Sequence, residues 1–224
     1  MSGSQEQGLS IYRLRLVGYG LLLFALADNL LVFYPPQLTN AAWELQAMGA
    51  VVERLPVPLL GLVMVFFGED YERNRLEDIF LKIVCWFSLL LAIAFLLLLP
   101  LGINNTLRIN AENNQNIQAQ AQQRQAELEA VETQVNQSST EQLQDLAVEL
   151  NRIGLPVDTT KTQELKSDIL SRVATAKEQL PAQTQATRSS QRQVLLKNSF
   201  KWNLGALIGS ILFFYIWRGT YWAR

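Results

Sequence analysis

Three stretches of the chain are continuous enough in apolar character to be read as membrane crossings. Residues 16–34, LVGYGLLLFALADNLLVFY, reach about 30 Å as a helix, the thickness of a bilayer's hydrocarbon. Residues 79–101, IFLKIVCWFSLLLAIAFLLLLPL, form a second and stronger run. The third follows Trp202 and reads NLGALIGSILFFYIW to Trp217, with tryptophans at both ends as interfacial anchors. Residues 51–67, VVERLPVPLLGLVMVFF, are less uniform. The apolar part from Val57 is too short to cross alone. Counted from Val51 it suffices, provided Glu53 and Arg54 lie near the headgroups and Pro56 and Pro58 kink or break its outer end. The alternative for this stretch is a re-entrant or interfacial segment. Arg13, Arg15 and Ala25-Leu26-Ala27 imitate a cleavable signal, but the apolar run continues to Phe33, which predicts an uncleaved anchor.

Between the third and fourth crossings the pattern changes. Residues 102–198 hold no aromatic side chain, and Gln and Asn make up about a quarter of them. Composition alone would suit a disordered linker. Periodicity opposes that reading: Ile103, Leu107, Asn110, Asn114, Ile117, Ala121, Arg124, Leu128, Val131 and Val135 follow alternating steps of four and three, a heptad seam with polar insertions. The phase slips at 137–140, through either a four-residue stutter or a new helix capped by Ser138 with Glu141. Leu143, Leu146, Leu150 and Ile153 then resume it. Gly154 and Pro156 stop the helix, placing a turn at 154–158, and Thr160 with Gln163 opens the next arm. That arm carries Leu165, Ile169, Val173, Ala176 and Leu180 on one face, and Pro181 must kink or restart it.

The predicted fold is therefore all-α: an integral membrane protein with about four transmembrane helices and a coiled-coil-like helical hairpin between spans three and four. The membrane domain covers 1–101, the hairpin 102–198, and the fourth span with a short tail 199–224. Antiparallel arms about 103–153 and 159–200 would set Leu150 near Leu165, and Leu128 beside residues beyond Pro181. The seam is expected to use Ile117, Leu128, Val131, Leu146, Leu150, Leu165, Ile169 and Val173. Polar seam groups lower stability while fixing register, so a protein partner or self-association is expected, beside membrane lipids.

Charge and composition narrow the chemistry. The chain has 224 residues, 17% of them charged, and a net charge of −1, which does not suit nucleic acid. It has no histidine, which removes His-based catalysis and most zinc and haem ligation. The single cysteine, Cys85, lies in an apolar run where its thiolate is disfavoured. No phosphate-binding glycine loop or nucleophile elbow is present. A non-enzyme without cofactor or metal is expected.

Three constellations remain. Asp28 and Asn29 sit within the first crossing, where a carboxylate is costly, and Arg54 is the proposed partner of Asp28; a polar joint between packed helices is the plainer reading. Gly205-Ala-Leu-Ile-Gly209 permits close helix approach, for internal packing or for a homodimer seam. The mixed-charge stretch 69–78 reads as a solvated loop or docking patch.

Three passages together resemble the cyanobacterial HpsJ family, named after a hormogonium-polysaccharide gene group: Val52-Glu-Arg-Leu-Pro-Val-Pro-Leu-Leu-Gly-Leu62, Leu96-Leu-Leu-Leu-Pro-Leu-Gly-Ile103, and Asn104-Asn-Thr-Leu-Arg-Ile-Asn110. The resemblance covers nearly the whole chain, brings no functional residues with it, and implies a plasma-membrane or thylakoid protein. The leading functional expectation is a non-catalytic scaffold or assembly factor acting through the hairpin. Alternatives are a regulator of polysaccharide polymerisation or export, and an auxiliary subunit of a photosynthetic complex.

Basic residues fix the expected orientation. Arg13 and Arg15 precede span one, and Arg73, Arg75 and Lys82 surround the 68–78 loop, which puts both termini and that loop in the cytoplasm and the hairpin in the periplasm or lumen. Lys197 and Lys201 oppose this weakly. Single cysteines at Gln115 and Thr159 should label with an impermeant thiol reagent from the extracytoplasmic side, and one at Asn74 should not. Labelling of all three from one side contradicts four crossings.

Overall fold

A computed structural model describes residues 2–69, 73–138 and 165–223, with side chains from residue 8 in the first segment and from 166 in the last. Every regular element among the described residues is helical: α1 (Ser2–Val32), α2 (Ala41–Glu53), α3 (Pro56–Phe66), α4 (Arg75–Gln137), α5 (Leu165–Gly219) and a short 3₁₀ turn at Tyr221–Ala223. The chain divides into two units, Met1–Ile109 with Leu195–Arg224, and Asn110–Val194.

In the first unit, four helical stretches are long and apolar enough to cross a membrane: Gly8–Val32, Ala41–Phe66, and parts of α4 and α5. Many of their large apolar side chains point outward, among them Leu23, Leu31, Ile83, Leu97 and Phe200. Water would penalise so much exposed apolar surface, and hydrocarbon would not. The inward faces form one core of Leu45, Met48, Val52, Leu62, Val65, Leu81, Val84, Phe95, Ala206 and Phe213.

The second crossing begins ten residues before the expected Val51. Asn40 caps α2, its Oδ1 accepting from the amides of Ala42 (3.0 Å) and Trp43 (3.2 Å), with Glu44 in the first turn. Residues 41–50 are thus helix, where an open loop was expected. The helix breaks at Arg54-Leu55. Pro56 has no N–H to continue the ladder, so Leu55 bonds back to Val52 O (3.2 Å) and Val57 to Arg54 O (3.2 Å) before α3 begins. Glu53 accepts from Lys201 Nζ (2.6 Å) and from the indole of Trp202 (3.1 Å), the expected anchor of span four. Lys201, which opposed the orientation argument, is therefore neutralised locally.

The unit closes by small-residue contact. A side chain added at Gly205 would meet Val52 Cγ1 at 2.3 Å, and one at Gly209 would meet Leu55 Cδ1 at 2.7 Å. The GxxxG motif thus seats α5 against the α2–α3 junction within the chain. Above this contact lies a polar layer. Asn105 Nδ2 donates to Glu44 (2.7 Å), and Thr106 Oγ1 donates to Ser199 Oγ (2.6 Å).

Two expectations about α4 and α5 change. Ile103 and Leu107 were placed in the heptad seam, yet they are 56% and 65% exposed. The buried face here is Gly102, Asn105, Thr106 and Ser199, because only small or hydrogen-bonding side chains fit against α2 at that separation. Helix α5 also runs unbroken through Pro181, with no restart; one missing N–H in so long a helix removes a single bond and leaves the rest.

Gly205→Leu should destabilise the detergent-solubilised protein by about 1–3 kcal/mol through overpacking, read as a lower melting temperature. Gly20→Ala, where nothing lies within 4 Å of the added carbon, should be neutral or slightly stabilising.

Candidate functional site

The helix break builds the first candidate site. Arg54 is the C-cap that follows α2, and its guanidinium folds back so that Nη1 donates to Ala50 O (3.3 Å) while Nε donates to Asp28 Oδ2 (2.5 Å). The pair expected from sequence is therefore formed. It is not sealed within the protein: about a third of each side chain is exposed. Asn29 joins by donating to Ala25 O (2.8 Å), bridging one turn of α1. A carboxylate and a guanidinium bonded in this way can join α1 to the α2–α3 junction.

A second polar cluster closes the other end of α3, and sequence reading missed it. After Phe66 the chain turns through Gly68 with φ +72°, the left-handed position that favours glycine at a helix end. The carbonyls released there are taken up by two arginines. Arg15 donates from Nε to Phe67 O (3.1 Å) and from Nη2 to Gly68 O, and Arg73 donates to Val65 O (3.3 Å) and Phe67 O (3.4 Å). Glu77 Oε1 lies 3.9 Å from Arg15 and 3.7 Å from Arg73, and it accepts from the Tyr19 hydroxyl (2.8 Å). Arg73 also stacks over Trp222, 4.9 Å from the ring centre. Its burial, and then the Arg15 charge beside it, push the Arg73 guanidinium below its ordinary pKa, with Glu77 opposing. The 69–78 stretch was expected to be a solvated loop. Its described part instead holds a packed ion cluster, and α4 begins at Arg75. The spacing of Arg15 and Tyr19 on one helical face was the available signal.

Beside these clusters runs a cavity of about 1070 Å³, walled mainly by α1 and α4 with Leu55, Pro58 and Leu62 of the α2–α3 segment. Nothing in the sequence announced it, since the residues that line it have the same composition as those that face outward.

The second unit pairs the described parts of α4 and α5 antiparallel. Leu128, Val135, Ile169 and Val173 are buried in one cluster, with Val131, Leu170 and Ala176 packed against it. Lys177 Nζ bonds the Glu132 carboxylate, and Lys166 Nζ donates to Asn136 O (3.1 Å). Ile117 is buried on the same face of α4, so the heptad phase holds from Asn110 to Val135. Leu128, however, clusters with Val173 and Ala176, short of Pro181 rather than beyond it. The apolar seam of the second arm ends at Leu180, so the leucine and valines of α4 can bury themselves only against the stretch before it. The turn at 154–158, with Leu146 and Leu150, lies outside the described residues, as does the side chain of Leu165.

Asp28→Asn or Arg54→Gln alone should lower membrane accumulation and melting temperature, by on the order of 2–3 kcal/mol, the penalty for an unmatched charge in a crossing helix. Exchanging both residues should restore part of the loss. Wild-type behaviour of both single variants places the pair in the headgroup region with no structural role.

No curated protein and no solved structure matches the chain. The family described as HpsJ-like protein matches residues 9–221, from two turns into α1 to the first residue of the closing 3₁₀ turn, and so covers most of both units. The chain belongs to the HpsJ-like family.

Proposed function

We propose that this chain is a non-catalytic membrane protein with four crossings, whose paired α4–α5 helices hold a protein partner, or a second copy, on the extracytoplasmic side. The family's name suggests that the machinery served is one of extracellular polysaccharide production. The observation that carries the partner reading is the distribution of apolar burial in the Asn110–Val194 unit. Among the described residues, the apolar cluster is short and lies around Leu128 and Val173; beyond it Ile117, Ala121 and Leu180 are the apolar inward positions, and Asn110, Asn114, Arg124, Thr184 and Arg188 are polar half-buried ones. Such a pair gains little from its own seam and leaves long Gln-rich faces to a partner. A role in membrane assembly rather than chemistry accords with a chain that has no histidine and whose one cysteine is buried against Thr220.

Photoreactive amino acids at the exposed positions Gln118 and Gln122, in the full chain within its native membrane, should trap a defined adduct. Leu128→Asp with Val173→Asp should abolish that adduct while the protein remains in the membrane. No adduct from the wild type, or one unchanged in the double variant, overturns the partner reading. Recovery of polysaccharide polymerisation or export proteins in the adduct supports the family's association, and an adduct of two copies supports self-assembly.

A further inference from the structure

The paired helices α4 and α5 carry an apolar strip that outruns the hydrocarbon. Along α4 the exposed large apolar side chains run from Ile79 through Ile83, Leu90 and Leu97 to Ile103 and Leu107, and among the described residues of α4 none follows. Ile79 to Leu107 is about 42 Å of helix, more than the ~30 Å of hydrocarbon and close to the ~40–45 Å of a bilayer with both headgroup layers. Phe200 and Leu196 are the exposed apolar positions of α5 at that end. The two helices meet there through Thr106 and Ser199, and α2 covers one side of the pair, through Glu44 on Asn105 and Gly49 against the Trp202 ring. At about 100° per residue, Leu107 turns away from α2 where Asn105 turns toward it, and Phe200 turns away where Trp202 turns toward it. Ile103 and Leu196, each one helical turn from these, share the same open side.

The strip ends at charge. Arg108 lies two residues beyond Thr106, and Lys197 two residues before Ser199 on the antiparallel helix, so both stand about 3 Å above that bond, on the outer flanks of the pair. Both are exposed, and no carboxylate among the described residues forms an ion pair with either. Glu112 is the one acidic residue within fifteen positions of them along either helix, so the rim of the strip is basic. Apolar helix surface that gives way to basic side chains at one height matches the edge of a bilayer, where long stems lie on the apolar part and their charges reach the phosphates. A standard protein interface takes ~20–30 residues a side, whereas the part of the strip beyond the hydrocarbon is four side chains continuous with the lipid-facing surface below. We propose that the base of the paired helices is seated in the headgroup layer on the hairpin side, where Arg108 and Lys197 bind the phosphates of anionic phospholipids. Lys197, which opposed the orientation argument, then has a ligand of its own on that face.

The inference rests on the membrane placement proposed above, and its test separates the two. Full-length protein carries an environment-sensitive fluorophore at Leu107→Cys or, further along α4, at Gln118→Cys, each in a Cys85→Ser background. It is reconstituted in vesicles of phosphatidylcholine and phosphatidylglycerol and floated on a density gradient. A nitroxide on the lipid headgroup should quench the Leu107 probe strongly and the Gln118 probe little. Phosphatidylglycerol with a nitroxide high on its acyl chain should quench the Leu107 probe roughly fivefold more effectively than phosphatidylcholine labelled in the same way, as one basic residue at an anionic surface implies. Arg108→Gln with Lys197→Gln should bring the two lipids level. No headgroup quenching at Leu107 puts the strip outside the bilayer, as a protein contact would, and overturns the inference. Equal quenching by the two lipids in the unsubstituted background, or a preference kept in the double variant, overturns it as well, and each of these results leaves the membrane placement standing. Failure of the protein to float with the vesicles overturns both.

Discussion

A charged side chain among crossing helices is costly unless another group meets it, and the ion pairs of the first unit gather at two levels. At one level stand Asp28 with Arg54 and Glu53 with Lys201; at the other, Arg15 and Arg73 stand with Glu77. The rise along α1 from Arg15 to Asp28 is about 20 Å. Between them most described side chains are apolar; the exposed Lys82 lies only about 8 Å along α4 from Glu77, close enough to snorkel to the headgroups. The helix break at Arg54 and the paired arginines on the α3 carbonyls both serve this partition. Each puts a polar backbone or side-chain group at one of the two levels and provides its partner there.

Much of this was readable in the sequence because it depends on pattern. The crossings follow from apolar runs, Asp28–Arg54 from the cost of a lone carboxylate, and the inward faces of Leu128, Val131, Ile169 and Val173 from heptad spacing, although the register was expected to put Leu128 beyond Pro181. What escaped depends on which neighbour a residue meets. Ile103 and Leu107 keep perfect heptad spacing, yet the tight approach of α2 turns Gly102, Asn105 and Thr106 inward instead. Arg15 and Arg73 were counted as topology signals, although each is occupied with carbonyls of α3. Asn40 followed by Glu44 was a usable capping signature for α2, overlooked because Glu53 and Arg54 drew attention to the far end of that segment.

The paired helices of the second unit follow a different economy of contacts. Their apolar cluster occupies only the region of Leu128–Val135 and Ile169–Ala176, and register there is fixed by Glu132 with Lys177. Elsewhere among the described residues Ile117, Ala121 and Leu180 alternate with inward amides, hydroxyls and guanidinium groups. A seam of this kind specifies alignment more strongly than it supplies stability, which suits a surface whose final form depends on what it meets.

The interrupted second crossing has a topological consequence. As helices, α2 and α3 are about 20 Å and 17 Å long, each short of the ~30 Å needed to cross by itself. They cross only as a spliced rod, and the splice is held by Arg54, Asp28 and the contacts of Leu55 with Gly209. On the four-crossing reading, the parity of the whole chain resides in that joint. With the joint closed, an even number of passages returns both termini to one face. With α2 lying flat in the headgroups, three passages would remain, and every segment after Phe67 would emerge on the opposite side.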